Sequence, residues 1–105
     1  QGFGVTITGK KGDAVRTIHE GIVQEIQYKK QNNRYTIFLG YNEYLVTYTN
    51  LSSVSVKKGD IVKKDQKIGV IGAGIEAGDK PFVRLAIYDS KSDKPLYVSD
   101  FFKKL

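Results

Sequence analysis

A single histidine, His19, and eleven carboxylates are the first candidates in the sequence for proton transfer near neutral pH or for metal ligation, and it has no cysteine. His19 lies in Thr17-Ile18-His19-Glu20-Gly21, just ahead of a strand-like run and without a second imidazole to share a metal. A metal site needs convergent ligands, so His19 is expected to face solvent as an ordinary polar residue. Asp13 and Asp60 each follow a glycine in Lys-Lys-Gly-Asp, where turn geometry favours Asp for backbone reasons rather than as a catalytic acid. Without cysteine there is neither a thiolate nucleophile nor a disulfide. Reactive chemistry is scarce, and charge is not.

Seventeen basic residues stand against eleven acidic ones, a net charge of +6. Ten of the fourteen lysines form adjacent pairs, Lys10-Lys11, Lys29-Lys30, Lys57-Lys58, Lys63-Lys64 and Lys103-Lys104, each in a predicted turn or at the C-terminus. Two readings are open. Lysines in turns blunt sheet edges and keep a domain soluble, or they attract an anionic polymer. Nucleic acid fits poorly, because the lysines are dispersed, only three arginines are present and no basic helix face appears.

The elements that must position any site are strands. Tyr44, Val46 and Tyr48 alternate with Leu45 and Thr47, and Val83, Leu85 and Ile87 alternate with Phe82, Arg84, Ala86 and Tyr88. Further strands are expected at Val5–Ile7, from Gly21 to about Tyr28, at Arg34–Leu39, Ile61–Val62 and Ile68–Ile71, and at Leu96–Val98. A polar link should follow Asn50, and Ala73 to Lys80 reads as a loop ended by Pro81. Gly59 and Asp65 suit tight corners that need a left-handed backbone. Ser99 is placed to cap one helical turn through Lys104. The fold class is all-β.

The sequence also repeats itself. Lys10-Lys11-Gly12-Asp13-Ala14-Val15 returns as Lys57-Lys58-Gly59-Asp60-Ile61-Val62, and Gly21-Ile22-Val23 returns as Gly69-Val70-Ile71. Residues 10–23 and 57–71 therefore read as related half-motifs that must pack together to close a core. Val15, Val23, Val62, Ile68, Val70, Val83, Leu85 and Ile87 are the expected core. At 105 residues the chain is one domain, residues 1–105, and no apolar run reaches the length of a membrane span. The opening Gln1-Gly2-Phe3-Gly4 reads as a cut edge, so the domain is expected to be the C-terminal part of a longer protein.

Gly4-Val5-Thr6-Ile7, Gly12-Asp13-Ala14-Val15, Gly21-Ile22-Val23, Tyr48-Thr49-Asn50-Leu51, Val56 through Gly72 and Pro81 through Ile87 follow one another as they do in LytM domains. The chain thus resembles the lysostaphin-type zinc endopeptidases that cut peptidoglycan cross-links, over about residues 4–101. The resemblance implies a small β-sandwich of duplicated half-motifs, the duplicated hybrid motif of barrel-sandwich type. It also implies a zinc site, and the matching positions lack its ligands. The zinc His and Asp of active members fall on Gly2 and Thr6, the histidine of their Tyr-x-His-Leu on Asn50, their His-x-His on Phe82 and Arg84, and a following Glu on Ala86. Zinc needs three protein ligands and an open position, and a guanidinium repels it. The expectation is a pseudoenzyme with no cofactor, no metal and no catalytic residue.

Degenerate LytM domains of this kind, as in EnvC-type murein hydrolase activators, keep the groove and use it to bind. The resemblance places Thr6, Tyr48, Asn50, Phe82, Arg84 and Ala86 in that groove as a partner-binding site. The expected partner is a cell-wall hydrolase of amidase type or another envelope protein, in an extracytoplasmic setting, with neither nucleic acid nor membrane contacted by the domain itself. The alternative is direct binding of peptidoglycan or another anionic envelope polymer through the lysines. A biotinyl or lipoyl carrier domain would need a modified lysine at a hairpin tip, and Lys29 and Lys30 lie in a Gln- and Asn-rich loop instead.

Overall fold

The computed structural model describes residues 2–105, so that Gln1 of the expected domain lies outside the described residues. Nine strands and one short helix follow in order: β1 (Val5–Thr8), β2 (Ala14–Arg16), β3 (Gly21–Lys29), β4 (Arg34–Tyr41), β5 (Tyr44–Val54), β6 (Ile61–Val62), β7 (Lys67–Ile71), β8 (Phe82–Asp89), β9 (Lys94–Leu96) and α1 (Val98–Phe102). All pairing is antiparallel, in the order β1-β8-β5-β4-β3-β6, while β7 joins β2 to β5 and β9 joins β8. This is the all-β class expected from the sequence. No described helix is long and apolar enough to cross a membrane.

The repeat is built into the pairing. Val15 of the first half lies opposite Gly69 of the second, and Val62 of the second lies opposite Gly21 of the first. Each half therefore lends its short strand to the other. The turns match as well: Asp13 Oδ2 accepts from the Lys10 N–H at 2.8 Å, and Asp60 Oδ2 accepts from the Lys57 N–H at 3.0 Å. Gly12 and Gly59 both adopt positive φ, 88° and 93°, as does Asp65 at 67°.

Alternation fixes the core, and it is carried mainly by β-branched and leucine side chains. Val23, Ile37, Leu39, Val46, Leu51, Val62, Ile68, Leu85 and Ile87 are buried between the layers. Val15 and Val83 join them as expected, but Val70 is only half-buried. Val70 lies opposite Ala14 and Ser53, at a register shift in β5, and borders a shallow groove instead of the core.

Four local expectations change. β4 runs on to Tyr41, so the hairpin turn is the pair Asn42-Glu43, with Asn42 at φ 53°. β5 does not stop at Asn50: it continues to Val54 and pairs with β7, because Leu51 is a fully buried anchor beyond the bulge. The last strand is Lys94–Leu96, and Val98 belongs to the helix. Tyr97, not Ser99, is the N-cap, and it offers no side-chain cap bond. Burial of Val98 and Phe101, three residues apart on one helical face, outweighs the missing cap.

His19 is a further correction. It does not face solvent but is 3% exposed, its ring 5.0 Å from that of Tyr41 and 5.5 Å from that of Phe101. The helix from the far end of the chain covers it. Its Nδ1 donates to the Glu20 carbonyl at 2.6 Å, which leaves Nε2 buried without a partner among the described residues. Burial holds its pKa below the usual histidine value, against the smaller opposing pull of Glu20.

Candidate functional site

β8 is the strand on which a site can form, because its two faces have opposite characters. Val83, Leu85 and Ile87 point into the core, while Phe82, Arg84 and Ala86 point out. The neighbouring strands then bring in-register partners to the outer face. Thr6 on β1 and Thr49 on β5 both lie opposite Arg84, Thr8 opposite Phe82, Thr47 opposite Ala86, and Thr36 on β4 opposite Thr49. Paired residues share a face. Four of the six threonines therefore flank β8 on this face, Thr36 stands one strand further out, and only Thr17 is elsewhere, buried and donating to the Lys63 carbonyl at 2.6 Å.

Arg84 is an exposed cation in a field of hydroxyls. Its side chain lies over the segment entering β1, where two glycines leave room: a Cβ on Gly4 would meet Nη2 at 2.9 Å, and one on Gly2 would meet it at 3.4 Å. Among the described residues the one ion pair is Lys58–Glu25, 3.5 Å apart and exposed, so Arg84 has no carboxylate partner there.

Of the six residues expected in a groove, Thr6, Phe82, Arg84 and Ala86 share this outer face. Asn50 stands at their border with its amide already committed, donating to the carbonyls of Ala73 at 3.0 Å and Phe82 at 2.9 Å. It sits in a β-bulge, since Thr49 pairs with Thr36 and Leu51 with Tyr35, and its φ is 76°. That bulge moves Tyr48 out of the expected set. Tyr48 pairs with Leu85, is 2% exposed, and points into the core on the opposite face from Arg84. Its hydroxyl accepts from the Ile18 N–H at 3.3 Å, and burial pushes its pKa up to about 12. Thr47 and Thr49 take its place on the outer face. The alternation of β5 carries the signal for them, since they have the opposite phase to Val46.

The donor set does not suit zinc. Where the family resemblance calls for imidazoles and carboxylates, the face presents glycine, threonine hydroxyl, a committed amide, phenyl, guanidinium and methyl groups. Among the described residues no group of three or more His, Cys, Asp or Glu side chains converges as metal ligands would. The arrangement is suited to binding: an aromatic anchor, an exposed cation able to take a carboxylate bidentately, and a hydroxyl-lined floor.

The lysine pairs are distributed around this framework. Lys10, Lys11 and Lys80 border a groove of about 510 Å³ beside Thr8 and Pro81. Lys11 also borders an adjoining groove of about 430 Å³ together with Arg34, Ser52 and Asp79.

Against known proteins, the model of peptidase family M23 matches residues 2–95. Lysostaphin from Staphylococcus simulans, an antimicrobial peptidase, has the same fold with a TM-score of 0.79 and 26% identity, covering 97% of this chain and 43% of its own. Csd3 of Helicobacter pylori gives 0.77 and 25%, covering 94% of this chain and 26% of its own. The catalytic domain of the prophage-encoded M23 protein EnpA from Enterococcus faecalis gives 0.74 at 18% identity, over 90% of this chain and 73% of its own, and bears on the fold alone. The chain spans about a quarter of Csd3. No curated protein matches it.

Proposed function

This chain belongs to peptidase family M23, and from that membership we propose that it works without catalysis, as a domain that binds and regulates a peptidoglycan hydrolase or joins an envelope complex. The binding site is the former active-site face, and the setting is the extracytoplasmic cell envelope. One observation carries the reading. The position between Thr6 and Thr49 is held by Arg84, whose guanidinium crosses Gly4 and reaches toward Gly2, and among the described residues it has no carboxylate partner and no converging metal-ligand group. A water nucleophile would have neither metal nor base there. A partner carboxylate would have a cation and two neighbouring hydroxyls.

The test is activation. A peptidoglycan amidase is assayed on dye-labelled sacculi with the chain, with Arg84→Glu, with Phe82→Ala, and with Lys57→Glu/Lys58→Glu. Loss of a binding hot spot costs about 2 kcal/mol or more, roughly thirtyfold in affinity. The two face variants should lose activation by about that factor, and the lysine variant should keep it. Metal analysis after dialysis against zinc completes the test: one Zn²⁺ per chain bound near Asn50 and Arg84 would overturn the reading.

A second reading has its own support. Lys10, Lys11, Lys80 and Arg34 line two adjoining grooves at one end of the sandwich, a setting that suits an anionic envelope polymer. Polymer binding through lysines weakens steeply with salt, whereas an anchored protein contact does so much less.

A further inference from the structure

β1 is an edge strand with an unusually open edge. It pairs with β8 alone, in four consecutive pairs from Val5↔Leu85 to Thr8↔Phe82 without a shift. The Gly9 N–H donates to the Pro81 carbonyl, while the Phe82 N–H donates the other way, to Gly72. Backbone groups alternate sides along an antiparallel ladder. Val5 and Ile7 therefore bond to β8, and the N–H and C=O groups of Thr6 and Thr8 point away from the sheet. Natural edges carry lysine, proline, a bulge or a covering loop to prevent further pairing. Val5-Thr6-Ile7-Thr8 carries no such residue and no bulge.

The side chains on both faces agree with the backbone. On the inner face Val5 is 38% and Ile7 48% exposed, although their partners Leu85 and Val83 are buried. Below Ile7 lies a cleft of about 210 Å³ with Val15, Ile18, Tyr48, Ile71 and Val83 in its walls. Its other lip is β2, which pairs only with β7. The apolar interior thus opens between two strands that are each paired on one side. On the outer face, the guanidinium of Arg84 lies over Gly4 and near Gly2, just ahead of this strand.

We infer that this edge accepts an extended segment of a partner protein in which apolar residues alternate with acidic ones. The segment adds a strand beside β1, its backbone bonded to Thr6 and Thr8. Period two then sends its apolar side chains into the cleft and its carboxylates to Arg84. Charge selects this occupant over a second copy of the chain, since each copy carries a net +6 and would bring another cation to the seam. The inference rests on the reading of Arg84 as a partner contact and adds the chemistry of the partner.

The probe is a synthetic peptide of alternating valine and glutamate, followed by amide hydrogen exchange and chemical-shift mapping on the whole chain. Binding should slow exchange at Thr6 and Thr8 about tenfold. Valine–lysine and serine–glutamate peptides should bind about tenfold more weakly, as should the valine–glutamate peptide with Ile7→Ser or Arg84→Glu, and one of the two alternate N-methylation patterns should abolish binding. If shifts fall on Thr47 and Thr49 while Thr6 and Thr8 exchange unchanged, the face binds and the edge does not. That outcome overturns this inference and leaves the regulatory proposal standing. Protection at the edge with no effect on any hydrolase does the reverse, supporting the acidic strand and overturning the regulatory proposal. Absence of millimolar binding, or protection that appears on concentrating the chain without peptide, assigns no acidic segment to this edge and overturns the inference.

Discussion

The guanidinium of Arg84 occupies the space that a side chain on Gly4 would need. A Cβ there would stand 2.9 Å from Nη2 and equally close to the backbone carbonyl of Leu85. The two residues thus form a coupled pair, in which an arginine on β8 lies flat only because the chain entering β1 has no side chain.

Gly4→Ala should therefore destabilise by about 1–3 kcal/mol, the usual range for overpacking. Arg84→Ala on the same background should recover part of that loss, with a coupling of about 0.5 kcal/mol or more in a double-mutant cycle. Recovery will be incomplete, because the Leu85 carbonyl does not move. Urea titrations of the four proteins measure it. Strict additivity would show that the contact carries no energy.

The reciprocal glycines give a paired prediction. A Cβ on Gly21 would meet the Gly40 carbonyl oxygen at 2.3 Å, and one on Gly69 would meet that of Ser53 at 2.4 Å. Gly21→Ala and Gly69→Ala should each lose about 2–3 kcal/mol. Gly12→Ala and Gly59→Ala meet open space but retain positive φ, so about 1 kcal/mol is expected from each. Matched losses within each pair, read from thermal midpoints, are the energetic signature of the duplication.

His19 makes stability depend on pH. Its Nδ1 donates to a carbonyl, so Nε2 is a buried lone pair, and protonating it creates a donor with no acceptor. The folded pKa lies below 6.5, depressed by burial. The stability linked to the neutral ring is therefore present above pH 6.5 and is lost as pH falls through the folded value. His19→Phe keeps the ring against Tyr41 and Phe101, and it should flatten the urea midpoint between about pH 7 and pH 5. An unchanged slope would place the acid sensitivity in other groups.

Asn50 and Tyr48 separate structure from binding. Asn50→Ala loses two side-chain hydrogen bonds and keeps a strained φ, for about 2–3 kcal/mol, while Asn50→Gly relieves the strain and should lose about 1 kcal/mol less. Tyr48→Phe removes the acceptor for the Ile18 N–H and should lose about 1 kcal/mol. It should leave partner binding intact. In an ultraviolet pH titration, Tyr48 should remain un-ionised above pH 10, and its contribution to stability should be lost as pH rises toward about 12.

Much of this framework is legible in the residues. The alternation of Val83, Leu85 and Ile87 tells which face of β8 is outward, and the repeated Gly-Asp turns announce the reciprocal halves. Tyr48 is misplaced by counting back two residues from Asn50, because that count assumes an unbroken period and the bulge at Asn50 breaks it. The phase Tyr48 shares with Val46 is the better guide. His19 escapes a sequence reading for a different reason: its cover is Phe101, from the opposite end of the chain, and no local pattern reports a contact that distant. Val70 belongs to an apolar run that reads as core, and the register shift in β5 turns it toward the groove.

The exchange of short strands between the halves also bears on how the chain reaches this state. Val15 finds Gly69, and Val62 finds Gly21, across a large part of the sequence. Long loops must close before those pairings return any free energy, so folding should be slow for a domain of this size, in the range of about milliseconds to seconds. During that interval β2 and β6 have no sheet of their own to join. Newly made chains would then be most vulnerable to mispairing before the second half has been synthesised, when the first half still lacks the strand that completes it.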